Sequence, residues 1–159
     1  MLRWLACLML LIFCSRAWSE GVSIDGIPLG GNATKSSVMN RLSPHVKNGI
    51  NGSWSDVPVK FAGYSTMAHV FVNPAGRIQQ IELRLPLTSL ASIKMHLIES
   101  FGQPGSDTTS PLNHGLATWE RRDKEAAVGL FSEPEHGATL LIGLIWIDPR
   151  AAHVPIYID

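Results

Sequence analysis

The chain has almost no cysteine. Two of its 159 residues are Cys, and both, Cys7 and Cys14, fall in the first fourteen. From Ser15 onward there is no disulfide, no thiolate nucleophile and no cysteine-held zinc. Charge of one sign is missing as well: thirteen Lys and Arg balance thirteen Asp and Glu, and no basic stripe runs along the chain. A nucleic-acid partner, which needs clustered Lys and Arg against phosphate, is therefore not expected. Beyond the N-terminus no apolar run reaches the roughly 20 residues that span a bilayer as a helix. Short catalytic signatures are absent too. Gly52-Ser53-Trp54-Ser55 lacks the second glycine of a nucleophile elbow. Leu29-Gly30-Gly31-Asn32 precedes a helical pattern but has neither the lysine nor the spacing of a phosphate loop.

What is present begins with an export signal. Arg3 supplies a positive start, Leu5 to Phe13 form an uncharged apolar run, and Ala17-Trp18-Ser19 places small residues before a cut ahead of Glu20. Residues 1–19 are expected to be a cleaved signal peptide, and the protein to be periplasmic or secreted. A lipid-carrying Cys14 is the lesser expectation, because Phe13 stands where such signals want a small residue. Residues 20–159 are expected to form one domain of about 140 residues, a length that can bury a core without disulfides. Cleavage removes Arg3 and Arg16, which leaves eleven basic against thirteen acidic residues.

The rest reads as one unit used twice. Thr34 is placed to cap a helix over Ser36 to Leu42, which Pro44 ends. Asn48 to Asp56, rich in Gly, Asn and Ser, reads as loop. Strands are expected over Val57 to Tyr64, Met67 to Asn73 and Arg77 to Leu85, the last two joined by the hairpin signal Pro74-Ala75-Gly76. Then the order recurs. Thr88 or Ser89 caps a helix whose Leu90, Ile93, Leu97, Ile98 and Phe101 form an apolar stripe, and Gly102 and Pro104 end it. Strands follow at Ala117 to Arg122, Ala126 to Ser132 and Ala138 to Ile147. Phe61 and Val70 match Trp119 and Val128 at a common offset of 58. The halves, about 24–87 and 88–147, are read as a tandem α-β-β-β pseudo-repeat, with 148–159 as a tail that can add an edge strand.

An amphipathic helix and a half-wet sheet each have one apolar surface to bury. The expected fold is α+β: two layers, with two helices packed on one face of an antiparallel sheet. The helix-side core is expected to hold Val59, Phe61, Val70, Val72, Ile81, Leu83, Leu90, Ile93, Leu97, Phe101, Trp119, Val128, Leu130, Leu140, Ile142 and Leu144. The other sheet face is left to Lys60, Tyr64, His69, Phe71, Gln80, Glu82, Arg84, Glu120 and Arg122. The element order, with Leu29-Gly30-Gly31 before the first helix and Phe101-Gly102-Gln103-Pro104 after the second, resembles the periplasmic domains of the SmpA/BamE outer-membrane assembly lipoproteins. Its doubling is similar to the tandem architecture of the β-lactamase inhibitory protein, which offers the open face of its sheet to an enzyme. The resemblance implies architecture, from which function does not follow, and carries over no family binding residue.

Candidate chemistry is thin. His114, Glu133, Glu135 and His136 form the one cluster with metal-ligating side chains, but they sit in loops without a helical His-x-x-x-His pair, so a solvated polar turn is the ordinary reading. Glu82, Glu99 and Glu120 fall on expected wet faces. Glu120 to Glu125 nearly cancels its own charge beside Trp119. No cofactor, metal or catalytic residue is assigned. The expected function is binding of another protein without catalysis, as an inhibitor or immunity-type partner or an envelope-assembly accessory, through Tyr64, His69, Phe71, Arg84 and Arg122. Two other readings stay open: a small hydrolase or metal-dependent enzyme of the envelope, and a small-ligand binder.

Overall fold

Period-two runs separated by tight turns dominate the chain, so strands dominate the fold. The computed structural model describes residues 21–48, 52–107, 115–133 and 138–150. The expected signal peptide lies outside them, as does most of the tail. Ser23–Ile24 (β1) and Ile27–Pro28 (β2) form a small hairpin. Ser36–Leu42 (α1) leads to Val46–Asn48 (β3), Ser53–Phe61 (β4), Tyr64–Val72 (β5) and Ile78–Pro86 (β6). A 3-10 turn then opens into Leu90–Phe101 (α2). Ser106–Asp107 (β7), Gly115–Arg121 (β8), Ala126–Glu133 (β9) and Thr139–Trp146 (β10) complete the order. Strands β3 to β10 make one sheet in the order β3-β4-β5-β6-β10-β9-β8-β7. Each half of the chain runs from an outer edge to the centre, where β6 and β10 pair antiparallel.

The expected layer of two helices on a sheet is overturned. The molecule is mostly antiparallel sheet with two short helices of seven and twelve residues. Such helices are about 10 and 18 Å long, whereas eight strands at about 4.8 Å spacing span roughly 34 Å. They cannot form a covering layer. Part of the missing cover is β1–β2, whose Ile24 and Ile27 join Leu29 and Ala33 in the core. Asp25 and Gly26, with φ of 48° and 82°, make the turn between them. The expected helix caps do not form either. Thr34 gives its backbone N–H and its hydroxyl to Asn32 Oδ1, at 2.9 and 2.8 Å. The Ser89 hydroxyl donates to the Pro86 carbonyl at 2.6 Å.

The core is legible as one row across six strands. Trp54, Val70, Ile81, Leu144, Val128 and Trp119 stand in register from β4 to β8, and all are buried. β4 begins at Ser53, four residues before the expected Val57, because a bulge between Trp54 and Val57 breaks the alternation and Asp56 turns to φ 58°. The β8–β9 connection has a structural task. Trp119 Nε1 donates to Gly102 O at 2.9 Å, Arg121 Nη1 donates to Phe101 O at 2.7 Å, and Lys124 Nζ donates to Ser100 O. These carbonyls end α2, where two cations also meet the negative pole of the helix. Arg121 grips Asp123 through both nitrogens, at 2.8 and 2.6 Å, and holds that carboxyl below its ordinary range.

The outer edge of β4 is closed by an ion pair. β3 reaches only Ser53 to Ser55. Beyond it, Arg41 Nη2 donates to Pro58 O at 3.2 Å and Asp25 Oδ2 accepts from Lys60 N at 3.2 Å, while Arg41 and Asp25 meet at 2.9 Å. Exposed strand edges pair with other chains unless they are blunted, and here side chains and Pro58 do the blunting. The Arg41 hydrogen bond is the main reason that the Asp25 carboxyl titrates below its ordinary 3.8. A depressed acid stabilises the fold above its unfolded value and loses that contribution as pH falls through the folded one. The stability lead of the native chain over Asp25→Asn is therefore expected to be flat from neutral pH to about 4 and to shrink below it. Urea melts across pH 2 to 7 check this. A lead that shrinks instead between pH 5 and 7 contradicts the assignment.

Candidate functional site

The face opposite the core is built by the same register. From β5 to β8 one row reads Phe71, Gln80, Ile145, Ala127, Glu120, and the next reads His69, Glu82, Gly143, Gly129, Thr118. A third places Arg84 against Leu141 and Leu141 against Phe131. Along these rows Glu120 and Arg84 are exposed and Phe71, His69, Gln80, Glu82, Leu141 and Ile145 partly exposed, whereas Ala127, Gly129 and Gly143 are buried. His69 stacks on Phe71, with ring centroids 4.2 Å apart, and its Nε2 is buried without a hydrogen-bond partner. Gln80 Nε2 donates to Glu82 Oε1 at 2.8 Å. Gly129 and Gly143 face each other across β9 and β10. A Cβ added at 143 would meet nothing within 4 Å. Leu141 and Ile145 flank that glycine along β10 on the same face.

Toward β4 the face opens into a cleft of about 1060 Å³. Met67, His69, Glu82 and Arg84 line it from β5 and β6, Lys60 from β4, and Arg41 and His45 from α1 and the segment that follows it. Met67 is 56% exposed, which is unusual for so large an apolar side chain. The cleft mixes both charges with apolar surface, a composition suited to a protein surface.

Three of the five residues expected to share a face do so: His69, Phe71 and Arg84. Tyr64 does not. Its position has the parity of the buried Ala68 and Val70, and its hydroxyl shares a 2.8 Å hydrogen bond with Ser92 Oγ on α2. A strand alternates strictly, so 64 and 69 cannot both point outward without a bulge between them. Arg122 does not join them either. It lies in the 3-10 turn after β8 and pairs with Glu120 at 3.1 Å, beyond three strands from Arg84. Sequence reasoning passed over Leu141, Gly143, Ile145, Gly129 and Phe131. Leu140 to Ile145 is apolar at nearly every position, so period two alone does not separate its two faces. The lone Gly inside each strand was the available signal, since such a glycine marks close approach or lost packing.

His114, Glu135 and His136 lie outside the described residues, as does the side chain of Glu133. Among the described residues no group of three or more His, Asp or Glu is placed to hold a metal, and no helix is long and apolar enough to cross a membrane. Comparison of the chain with protein families, with curated proteins and with solved structures returns no match.

Proposed function

We propose that this protein is exported to the periplasm or beyond and binds another protein, without catalysis, through the open face of its sheet. The observation that carries the reading is a sheet face of aromatic, aliphatic and glycine positions, most of its side chains partly exposed, that also carries Glu82, Arg84 and Glu120. Aromatic and Arg side chains contribute most at protein interfaces, because they bury large areas and keep a polar handle. The resemblance to the tandem β-lactamase inhibitory protein is one of architecture, and the functional reading rests on the face itself. An inhibitor or immunity role and an envelope-assembly role both follow from it.

The test uses protein recovered from the periplasm with a photo-crosslinking residue at position 71 or, as control, at Met95, which is 63% exposed on α2. A foreign protein is expected to be trapped at 71 and not at 95. With that partner in hand, Phe71→Ala and Arg84→Ala are each expected to weaken binding about tenfold, or ~1.4 kcal/mol, with little change in melting temperature. Equal trapping at both positions, or none at 71, removes the surface from consideration. Failure to recover the chain from the periplasm removes the proposed location.

A further inference from the structure

We propose that the cleft between β4, β5, β6 and α1 grips a loop of the partner that carries an apolar side chain between a basic and an acidic one. The inference rests on the proposed protein-binding role and names the chemistry that the cleft selects. Its centre is apolar. Among the described residues Met67 and Met95 are the two large apolar side chains left exposed, and Met67 lines the cleft with Pro58 opposite it on β4. An unbranched thioether adapts to many apolar shapes, which suits a surface that has to close on another chain.

The charges are sorted to the two ends. Trp54 pairs with Val70 and Val57 with Ala68, so the β4 bulge sets Ser55 and Asp56 against His69, whose partner on the other side is Glu82. Asp56 and Glu82 make that end of the cleft acidic. Lys60 stands opposite Ser65 at the other end, four residues along β4 from Asp56, or about 13 Å of strand. Arg41, Asp25 and Lys60 there sum to one positive charge, and Arg84, two residues along β6 from Glu82, stands between the ends. A cleft with opposite ends favours a ligand with the complementary pair over one of a single sign. An extended chain advances about 3.3 Å per residue, so two charged side chains two to four positions apart reach both ends.

The acidic end is also where the fold carries costs. His69 Nε2 is buried with no hydrogen-bond partner among the described residues. Asp56 stands at φ 58°, in the left-handed region that residues other than glycine enter seldom. Unsatisfied polar atoms and strained backbone collect at binding sites, and bulges re-aim side chains there.

A phage library of random seven-residue loops, each closed by a disulfide and selected on the purified protein, tests this. Enriched loops are expected to carry a Lys or Arg and an Asp or Glu two to four positions apart, with an apolar residue between them. Met67→Ala and Asp56→Asn are each expected to weaken a selected loop at least tenfold, and Met95→Ala to leave it unchanged. Both cleft side chains are exposed, and Asn accepts the same φ, so melting temperatures are expected to stay within about 2 °C. Loops of another composition, loops indifferent to both cleft substitutions, or no enrichment at all overturn the inference. The two proposals fail separately. A foreign protein trapped at position 71 while loops ignore Met67 keeps the proposed function and removes the cleft. Loops held through Met67, with nothing trapped at 71, keep the cleft and remove the open face.

Discussion

Gly30→Ala is expected to lower the melting temperature by about 10 °C or more, which for a domain of this length corresponds to ~3 kcal/mol. Two costs add. Gly30 sits at φ +74°, where a Cβ is strained by about 1–2 kcal/mol. A Cβ there would also lie 2.4 to 2.8 Å from the indole of Trp146, a distance that packing cannot absorb without moving the ring. That ring is not free to move. Arg77 stands over it at 5.6 Å, its Nε1 donates to Glu125 at 3.3 Å, and Arg77 Nη1 donates to Gly30 O at 2.9 Å. The clasp ties the N-terminal segment to the start of β6 and the end of β10. Gly143→Ala is the matched control, with open space in front of it and no positive φ, and is expected to change stability by less than about 1 kcal/mol. A calorimetric scan of both variants checks the pair. A Gly30→Ala protein as stable as Gly143→Ala would mean that Trp146 does not rest on this loop.

This clasp also shows where reading the residues in order stops. Leu29-Gly30-Gly31-Asn32 was legible as a turn before a helix and as a phosphate loop that lacks its lysine, because nothing local announces a tryptophan 116 positions later as the neighbour. Asp25-Gly26 between Ile24 and Ile27 is different. An Asp-Gly pair flanked by β-branched residues is a strong hairpin signal, and it marks β1–β2 from sequence alone. Overlooking it left the helices to cover the sheet unaided, and the two-helix layer followed from that omission.

The site was half legible for a related reason. Alternation correctly separated Val70 and Ile81 from Phe71 and Gln80, since each strand there has one polar parity. It misplaced Tyr64 by one residue's parity, and on β10 it placed Leu140, Ile142 and Leu144 in the core, where they are, but gave the open face no residue of that strand, because both parities there are apolar. Arg122 shares the outward parity of Glu120 but sits past the end of β8, where the chain leaves the pleat for a 3-10 turn. The local pattern therefore identified which residues of a strand share a face. The pairing of β6 with β10, which joins the two halves of that face, is a long-range contact and had no local sign.

Leu97→Ala is expected to cost about 2–5 kcal/mol, the range for a fully buried leucine. Leu97 has no exposed surface and lies with Ile93 and Phe101 on the inner side of α2, in the one cluster that contains the buried residues of the sheet. α2 is twelve residues long, too short to hold itself together in water, so its stability comes from this contact. Removing three carbons both withdraws apolar surface and leaves a void, and a helix pinned at its C-terminus by Trp119, Arg121 and Lys124 cannot slide inward to fill it. The cost is therefore expected in the upper part of the range. Met95→Ala, two residues away and 63% exposed, is expected to change stability by no more than about 0.5 kcal/mol. Urea denaturation of the two variants, with equal slopes required, measures the difference. A Leu97→Ala cost near that of Met95→Ala would mean that α2 lies on the molecule without packing into it, and the closed face of the sheet would then have to be covered by something else.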